Sequence, residues 1–191
     1  MELSPNKKLE IFASELSLIF NPDVRSFTEV CVMMAPDYIF HAAPASTSGK
    51  YHPIDELSGY GTIIHTKRVV TVAYELSRGL GCEQNRDQVI AACILHDLRK
   101  QGVEPSGHTV KWHPDLGAKL VEEVYADLKL LPVKDFEMIR NCVGYHYGPW
   151  SIKPWSKPLD TYTPEEMCVY LSDYIASKKS LTVKQEDRFD G

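Results

Sequence analysis

The sequence predicts an all-α fold, a single compact bundle of about six to eight helices. Apolar residues recur at helical intervals along almost the whole chain, and there is neither a sustained alternating strand pattern nor an internal repeat. The length of 191 residues fits one domain. The composition, 43% hydrophobic and 25% charged, is typical of a globular protein and excludes a mainly disordered or collagen-like chain.

Two amphipathic helices are predicted near the N-terminus. The first begins at Pro5, with Ser4 as its cap, and ends before Asn21 and Pro22. Its apolar face consists of Leu9, Phe12, Leu16, Ile19 and Phe20. The second helix has its apolar face on Val24, Phe27, Val30, Cys31 and Met34. We expect these two helices, over residues 5–34, to pack on the core of the same domain.

The core is predicted to span about residues 38–179, and a polar tail that is expected to fray follows at 180–191. The segment from Ala35 to about Ser58 is rich in Pro, Ala, Ser and Gly and has no sustained period, which predicts an ordered loop. The next helix is predicted from about Gly61 to Leu80. Along one stripe it carries His65, Val69, Val72 and Leu76.

Four more helices are predicted in the core. The first of them, from about Arg86 to Lys100, is the most apolar segment of the chain. Another begins near His113. The next carries Phe136, Ile139, Val143 and His146. The residues from Thr163 to Glu166 form a capping box with proline at the first helical position, which opens a last helix through Asp173.

The adjacent pair His96–Asp97 ends the most apolar segment, where burying ionisable groups without a partner costs several kcal/mol. A divalent cation would offset this cost, because imidazole nitrogen and carboxylate oxygen are both metal ligands. The alternative for a pair standing alone is a histidine hydrogen-bonded to the backbone. Further residues of ligand type stand on the inner faces or at the ends of the other core helices: His65, His113, His146 and Asp173.

The order of these six residues, H…HD…H…H…D, resembles the HD superfamily of metal-dependent phosphohydrolases. The core of the resemblance is His65, His96, Asp97 and Asp173. It extends from Tyr38 to Lys179 and implies a helical HD-domain bundle. The stretch FHAAPASTSGKYH, followed by His65–Thr66, is similar to the lead-in of HD domains of a bacterial 3′-to-5′ exoribonuclease type and of related phage proteins.

The resemblance implies that one divalent metal ion is held by His65, His96, Asp97 and Asp173. His113 and His146 match the positions where two-metal members add ligands, and Asp97 would then bridge the ions. In single-metal members, histidines of this region instead contact substrate or act as general acids. One or two ions are expected, with manganese, iron, cobalt, nickel, zinc and magnesium as candidates.

Lys100 matches the lysine of the commoner HDxxK form of the motif, which implies a phosphate contact. The alternative is a cation that offsets the dipole at the helix C-terminus. We predict catalytic roles for Asp97, Lys100 and His113. Arg99 is expected to be a solvated surface charge. The flanking charges, which either face solvent or border the site, are Lys67, Arg68, Lys178 and Lys179.

The loop at 145–155 joins His146 to two tryptophans, two tyrosines and a lysine. It would be a specificity loop if its aromatic faces stack on bases, and the alternative is a loop pinned to the domain by its aromatics. His52 and Lys50, in the family-like lead-in, would reach the pocket in one interpretation, but ordinary loop packing or solvent exposure is favoured. His41 has a weaker claim to a role in the site, and His108 is expected to be exposed.

The charge balance, 21 Lys and Arg against 26 Asp and Glu, offers no general attraction to duplex DNA. No apolar run approaches the roughly 20 residues of a spanning helix, so we expect no membrane crossing. The N-terminus lacks the pattern of a signal peptide, which predicts a cytoplasmic protein. Five scattered cysteines predict buried free thiols.

The predicted function is metal-dependent hydrolysis of a phosphoester or phosphoanhydride bond. The expected substrate is a small nucleotide or a short single-stranded nucleic acid, and the oligomeric state stays open. One alternative is a non-catalytic sensor or interaction module that binds metal or nucleotide on the same fold. Another is oxidation by a mixed-valence di-iron centre, which exists on related scaffolds.

Overall fold

The computed structural model describes residues 3–46 and 48–181. Over these residues the chain forms eight α-helices and no β-strand, which confirms the all-α prediction. The helices are α1 (Pro5–Ile11), α2 (Ala13–Leu16), α3 (Pro22–Met34), α4 (Gly61–Gly79), α5 (Arg86–Leu95), α6 (His113–Leu128), α7 (Val133–Tyr145) and α8 (Pro164–Ala176). From residue 182 onward, the predicted polar tail lies outside the described residues. None of the helices described is long and apolar enough to cross a membrane.

Helix α5 occupies the centre of the bundle. It packs against α3, α4, α7 and α8, and every residue from Gln88 to Leu95 is buried. Because its apolar residues cover all of its sides, only a central position removes them from water. The helix pairs α4–α8 and α6–α7 pack beside it. The two residues that follow α5, His96 and Asp97, are therefore buried inside the domain.

The five cysteines are all buried and free, which confirms the prediction from the sequence. Burial raises the pKa of the Cys31 and Cys93 thiols well above its ordinary value. These side chains are therefore protonated and pack as small apolar groups.

Between residues 5 and 34 the chain forms three helices rather than the two predicted. The break comes at Phe12, which is fully buried and packs edge-on against Phe40 at 6.2 Å between ring centroids. Because α2 ends before Phe20, helical spacing no longer applies there, and Phe20 is exposed instead of buried. Met34 is also exposed, since Val32 takes the inward position at the end of α3. Helix α3 packs on α5 and α6.

The segment from Ala35 to Ser58 contains two short 3-10 segments, Asp37–Phe40 and Ile54–Leu57, and the second packs on α4. Gly61, the first residue of α4, makes this contact possible. A Cβ at this position would lie 1.8 Å from the backbone oxygen of Glu56. The close approach brings the fully buried side chain of Glu56 into the interior.

Helix α5 is shorter than predicted, because it ends at Leu95 instead of continuing to Lys100. Beyond it the chain turns tightly, with backbone hydrogen bonds from Leu98 to Leu95 (3.2 Å) and from Lys100 to Asp97 (3.0 Å). In such turns, side chains three residues apart lie directly above one another. The Lys100 side chain consequently returns to Asp97.

Candidate metal centre

Six side chains of ligand type meet in the interior of the bundle. They are His65 in α4, His96 and Asp97 directly after α5, His113 at the start of α6, His146 directly after α7 and Asp173 in α8. Their imidazole rings form a row, with centroids 5.6 Å apart for His65 and His96, 5.0 Å for His96 and His146, and 5.0 Å for His146 and His113. The fold therefore brings together all six residues that the sequence predicts as metal ligands.

Three of the histidines are held in the same way. Nδ1 of His96, of His113 and of His146 lies 2.7 Å from the backbone oxygen of the residue three positions earlier. A carbonyl oxygen only accepts, so Nδ1 carries the ring proton and Nε2 keeps its lone pair. Each ring is thereby fixed in the tautomer that binds a metal through Nε2.

His113 and His146 bring two of these nitrogens together, with 3.1 Å between their Nε2 atoms. Because both ring protons reside on Nδ1, the two lone pairs face each other, and a nearby cation would stabilise this arrangement. Protonation of either ring is opposed by burial, which lowers the pKa of His146 to about 3 and also lowers that of His113.

Asp97 lies between two groups of ligands. Its Oδ2 is 3.4 Å from Nε2 of His96, while its Oδ1 is 3.5 Å from Nε2 of His113 and 3.8 Å from Nε2 of His146. The ligand atoms of His65, His96 and Asp97 all lie within 4.8 Å of one another. Those of Asp97, His113 and His146 do so as well. The arrangement suits two ions that share the Asp97 carboxylate.

Three buried side-chain atoms of the ligand-type residues have no hydrogen-bond partner among the described residues: Nδ1 of His65, Nε2 of His96 and Oδ1 of Asp97. Leaving such atoms unpaired in the interior costs about 1–3 kcal/mol each. Burial alone would raise the pKa of Asp97, but this pKa is held well below its usual range, and the charge of the adjacent Lys100 ammonium is the largest cause. An ionised carboxylate among imidazoles with free Nε2 atoms fits a divalent metal.

Asp173 lies beside the group formed by His65, His96 and Asp97, through its contact with His65. Its Oδ1 lies 2.8 Å from Nε2 of His65. Burial would raise the pKa of Asp173, but the hydrogen bond from His65 opposes this, and the pKa lies below its usual range. Asp173 is therefore a second ionised carboxylate beside the row of imidazoles.

A cavity of about 530 Å³ borders these residues, a size typical of small-molecule sites. Its polar lining includes Asp97, Lys100, His113, His146 and Asp173. The rest of its wall combines small, mostly hydroxyl-bearing residues with aromatic rings and one lysine, among them Tyr51, Tyr147, Trp150, Tyr174 and Lys178. A small molecule in the cavity would therefore reach the ligand side chains.

A comparison with protein families finds a match to the HD domain over residues 62–178, more than half of the chain. The chain belongs to the HD domain family. All six residues of ligand type lie within the matched range. The HD domain indicates the superfamily of metal-dependent phosphohydrolases, in which some proteins are non-catalytic. No curated protein and no solved structure matched the chain, so the narrower similarity to exoribonuclease-type HD domains stays a prediction.

One buried residue beside the HD-domain site was not anticipated from the sequence. Oε2 of Glu56 lies 2.7 Å from Nδ1 of His52 and 3.2 Å from Nδ1 of His65, and its other oxygen pairs with Arg68. The only local signal for it was Gly61, whose missing side chain allows the close approach of the Glu56 backbone.

His52 is a correction to the sequence analysis, which favoured ordinary loop packing or solvent exposure. It lines the cavity, and its ring packs edge-on against His65 with centroids 5.2 Å apart. Burial lowers the pKa of His52 to about 4. His108 is exposed, as expected, His41 is half-buried, and neither lines the cavity.

Lys100 and Arg99 differ in their surroundings although they are adjacent. Nζ of Lys100 lies 2.5 Å from Oδ2 of Asp97, and the side chain lines the cavity. Arg99 is not the solvated surface charge expected: it is 8% exposed, and its guanidinium bonds both carboxylate oxygens of Glu123 at 3.0 and 2.6 Å. The tight turn after α5 folds Arg99 against α6, which the sequence pattern did not reveal.

The flanking charges divide between the surface and the cavity. Lys67 pairs with Glu15 of α2 at 2.6 Å, and Arg68 pairs with Asp55 at 2.8 Å. Lys178, in contrast, lines the cavity.

The aromatic residues of the loop at 145–155 divide between the cavity wall and packing on the domain, and a role in substrate specificity stays a prediction. Tyr147 and Trp150 line the cavity. Trp155 packs against Tyr145, with centroids 5.2 Å apart, and so tightly over Gly144 that a Cβ there would lie 2.0 Å from the indole. One tryptophan pins the loop and the other borders the cavity.

Proposed function

We propose that the protein is a divalent-metal-dependent phosphohydrolase that cleaves a phosphoester or phosphoanhydride bond of a nucleotide or a short oligonucleotide. The observation that carries this proposal is the position of Asp97, whose two carboxylate oxygens face two groups of metal ligands beside one cavity. Membership of the HD domain family supports hydrolysis as the reaction. The aromatic rings and lysines in the wall of the cavity support the substrate class.

The residues that would hold a first ion are His65, His96, Asp97 and Asp173, and those for a second are Asp97, His113 and His146. When bound, such ions generate a nucleophile from water near neutral pH and neutralise charge on phosphoryl oxygens. The imidazole-rich donor set favours manganese, iron, cobalt, nickel or zinc over magnesium, which prefers oxygen ligands.

Lys100 provides a fixed positive charge at the cavity. Its ammonium is buried and anchored by Asp97 at 2.5 Å. A phosphate oxygen that enters the cavity would accept a charge-assisted hydrogen bond from this ammonium. Because the group is shielded from bulk water, salt screens its attraction for phosphate less than at the surface.

His113 would have a role whether the site holds two metal ions or one. With two ions it is a ligand through Nε2. With one ion its Nε2 would be free to contact substrate or to accept a proton from water, since the side chain lines the cavity and contacts Tyr147 with ring centroids 4.8 Å apart. The Tyr147 ring covers His113 on one side and limits the access of water.

The test of this proposal is turnover. Metal-loaded protein is incubated with nucleoside mono-, di- and triphosphates, cyclic and linear dinucleotides, and short single-stranded RNA and DNA, and mass spectrometry identifies the products. We expect one class to yield many equivalents of product per protein. Asp97→Ala should yield none while keeping its helical circular dichroism. The matched control Asp127→Ala, which removes an exposed carboxylate near the end of α6, should keep the rate.

The alternatives predict other results in the same experiment. Binding of a nucleotide without product, with manganese, iron or nickel supplied, would reject the hydrolase and favour the non-catalytic sensor. Consumption of dioxygen with an oxidised product would instead indicate a di-iron oxidase.

A further inference from the structure

Aromatic rings with a lysine beside them form the rim of the cavity. The rim comprises Tyr51, Trp150, Tyr174 and Lys178, which come from three separate segments of the chain. The rings of Trp150 and Tyr174 are nearly parallel, at 8°, with centroids 6.1 Å apart. Nζ of Lys178 lies 3.7 Å from the centroid of Tyr174 and 5.4 Å from that of Tyr51. Nζ of Lys50 lies 5.0 Å from the Tyr51 ring.

The three aromatic rings of this rim retain much of their surface in solvent. Trp150 is 55% exposed, Tyr51 54% and Tyr174 39%. A single exposed aromatic side chain needs no explanation, but three that line one cavity form an apolar surface that is available to a ligand. Trp155 shows the contrast, since its indole covers Gly144 and serves packing.

The cavity has two chemically different parts. One part contains Lys100, Asp97 and the imidazoles, which suit a phosphate and its metal ions. The rim offers flat π surfaces with cations beside them, which suit a planar, uncharged ring system next to a phosphate. A nucleotide carries these two kinds of group on one molecule, joined by a sugar.

We infer that the aromatic rim of Tyr51, Trp150 and Tyr174, with Lys178, binds an unpaired nucleobase of the substrate by stacking. This inference rests on the proposed function and deepens it, because it makes the base a determinant of affinity beside the phosphate. A base inside a duplex has both faces covered by its neighbours, so the rim selects a mononucleotide or a single-stranded end.

The experiment compares ligands with and without a base. Isothermal titration of the full-length, metal-loaded protein uses the 5′-phosphonates of adenosine, guanosine, cytidine and uridine, and ribose 5-phosphonate as the base-free probe. The carbon–phosphorus bond prevents turnover, so binding is measured independently of hydrolysis. At least one nucleoside phosphonate should bind about tenfold or more tightly than ribose phosphonate, as expected for one stacked base.

Substitutions at the rim test where this difference arises. Trp150→Ala should remove most of the preference for the nucleoside phosphonate over ribose phosphonate, and Trp150→Phe, which keeps a ring, should retain most of it. Tyr174→Leu provides a second substitution on the same surface. Phe20→Ala is the matched control, because Phe20 is 72% exposed and lies outside the cavity. Thermal unfolding checks that each variant is folded.

Two results would overturn the inference. One is equal affinity of the wild-type protein for nucleoside and ribose phosphonates. The other is an equal loss of affinity for both kinds of ligand in Trp150→Ala. Failure of the proposed function has a different signature. Base-dependent binding without hydrolysis of any nucleotide would support the rim and reject the hydrolase. Hydrolysis of base-free phosphate esters at the same rate as the corresponding nucleotides would support the hydrolase and reject base binding at the rim.

Discussion

The buried carboxylate of Glu56 lies 3.2 Å from Nδ1 of His65, on the side of the ring opposite to Asp173. In this structure Nε2 of His65 donates its proton to Asp173. If a metal took the place of that proton, the negative charge of Glu56 would favour the tautomer that carries the proton on Nδ1 and would leave Nε2 for the metal. Backbone carbonyls serve the same purpose for His96, His113 and His146. Glu56 is therefore a positioning residue for His65.

Glu56→Gln should lower metal affinity about 10–100-fold, the range found when an outer partner of a metal-binding histidine is lost. The amide keeps the shape of the side chain but lacks the negative charge that favours a proton on Nδ1 of His65. Competition with a chelator measures the affinity, and unfolding curves establish that the variant is folded.

The matched control is Asp55→Asn. Asp55 is the adjacent residue and pairs with the same Arg68, at 2.8 Å, but the pair is on the exposed side. The role assigned to Glu56 is wrong if both variants bind metal as tightly as the wild-type protein does, or if both lose affinity equally.

The position of Asp97 between two groups of ligands predicts two ions per chain. His146→Ala should reduce the stoichiometry from two to one, because the group formed by His65, His96 and Asp97 remains. Asp97→Ala should lose both ions, since it removes the carboxylate common to the two groups. Metal analysis after gel filtration measures these ratios, with His108→Ala as the exposed-histidine control. A wild-type protein with one ion, unchanged in His146→Ala, would contradict the two-ion interpretation.

Two glycines at opposite ends of α4 should respond in opposite directions to alanine. Gly61→Ala should lower the free energy of unfolding by about 3 kcal/mol, because the new Cβ would lie 1.8 Å from a backbone oxygen that cannot move alone. Gly79→Ala should raise it by about 0.5–1 kcal/mol, since its Cβ meets nothing within 4 Å and alanine favours the helix. Urea unfolding measures both values. Similar effects of the two substitutions would contradict the close approach at Gly61.

A pH-dependent contribution to stability is expected from Asp37. The ammonium of Lys8 lies 2.7 Å from its Oδ1, and this hydrogen bond lowers the pKa of Asp37 below its ordinary value. A carboxyl with a lower pKa in the folded state stabilises the protein above the unfolded pKa, and this stabilisation is lost as pH falls through the folded pKa. Asp37→Asn should therefore lower the free energy of unfolding at pH 7 by about 1 kcal/mol.

The difference between wild type and Asp37→Asn should shrink as the pH is lowered and disappear once Asp37 is protonated. Urea unfolding at a series of pH values measures it. Glu10→Gln is the control, because Glu10 and its partner Lys7 are mostly exposed and the pair contributes little at any pH. A difference for Asp37→Asn that does not depend on pH would show that the charge of Asp37 is not its cause.

Several helix boundaries could be predicted because their signals act within one turn. The hydroxyl of Thr163 accepts from the backbone nitrogen of Glu166 at 3.3 Å, and the Glu166 carboxylate accepts from the backbone nitrogen of Thr163 at 2.8 Å. Ser4 caps α1 at Pro5 in the same local way. Phe20 was wrongly predicted as buried because α2 ends at Leu16, so the helical spacing from Leu9 to Phe20 is not maintained.

The sequence by itself determined the all-α class and the six residues of ligand type, because the helical period is local and places each of them on an inner face or at a helix end. Tertiary structure alone decided the burial of Arg99 against Glu123, the place of Glu56 beside His65, and the aromatic rim. These depend on where loops lie on the bundle. Loop positions follow from contacts between distant segments, and no periodic pattern in the sequence records such contacts.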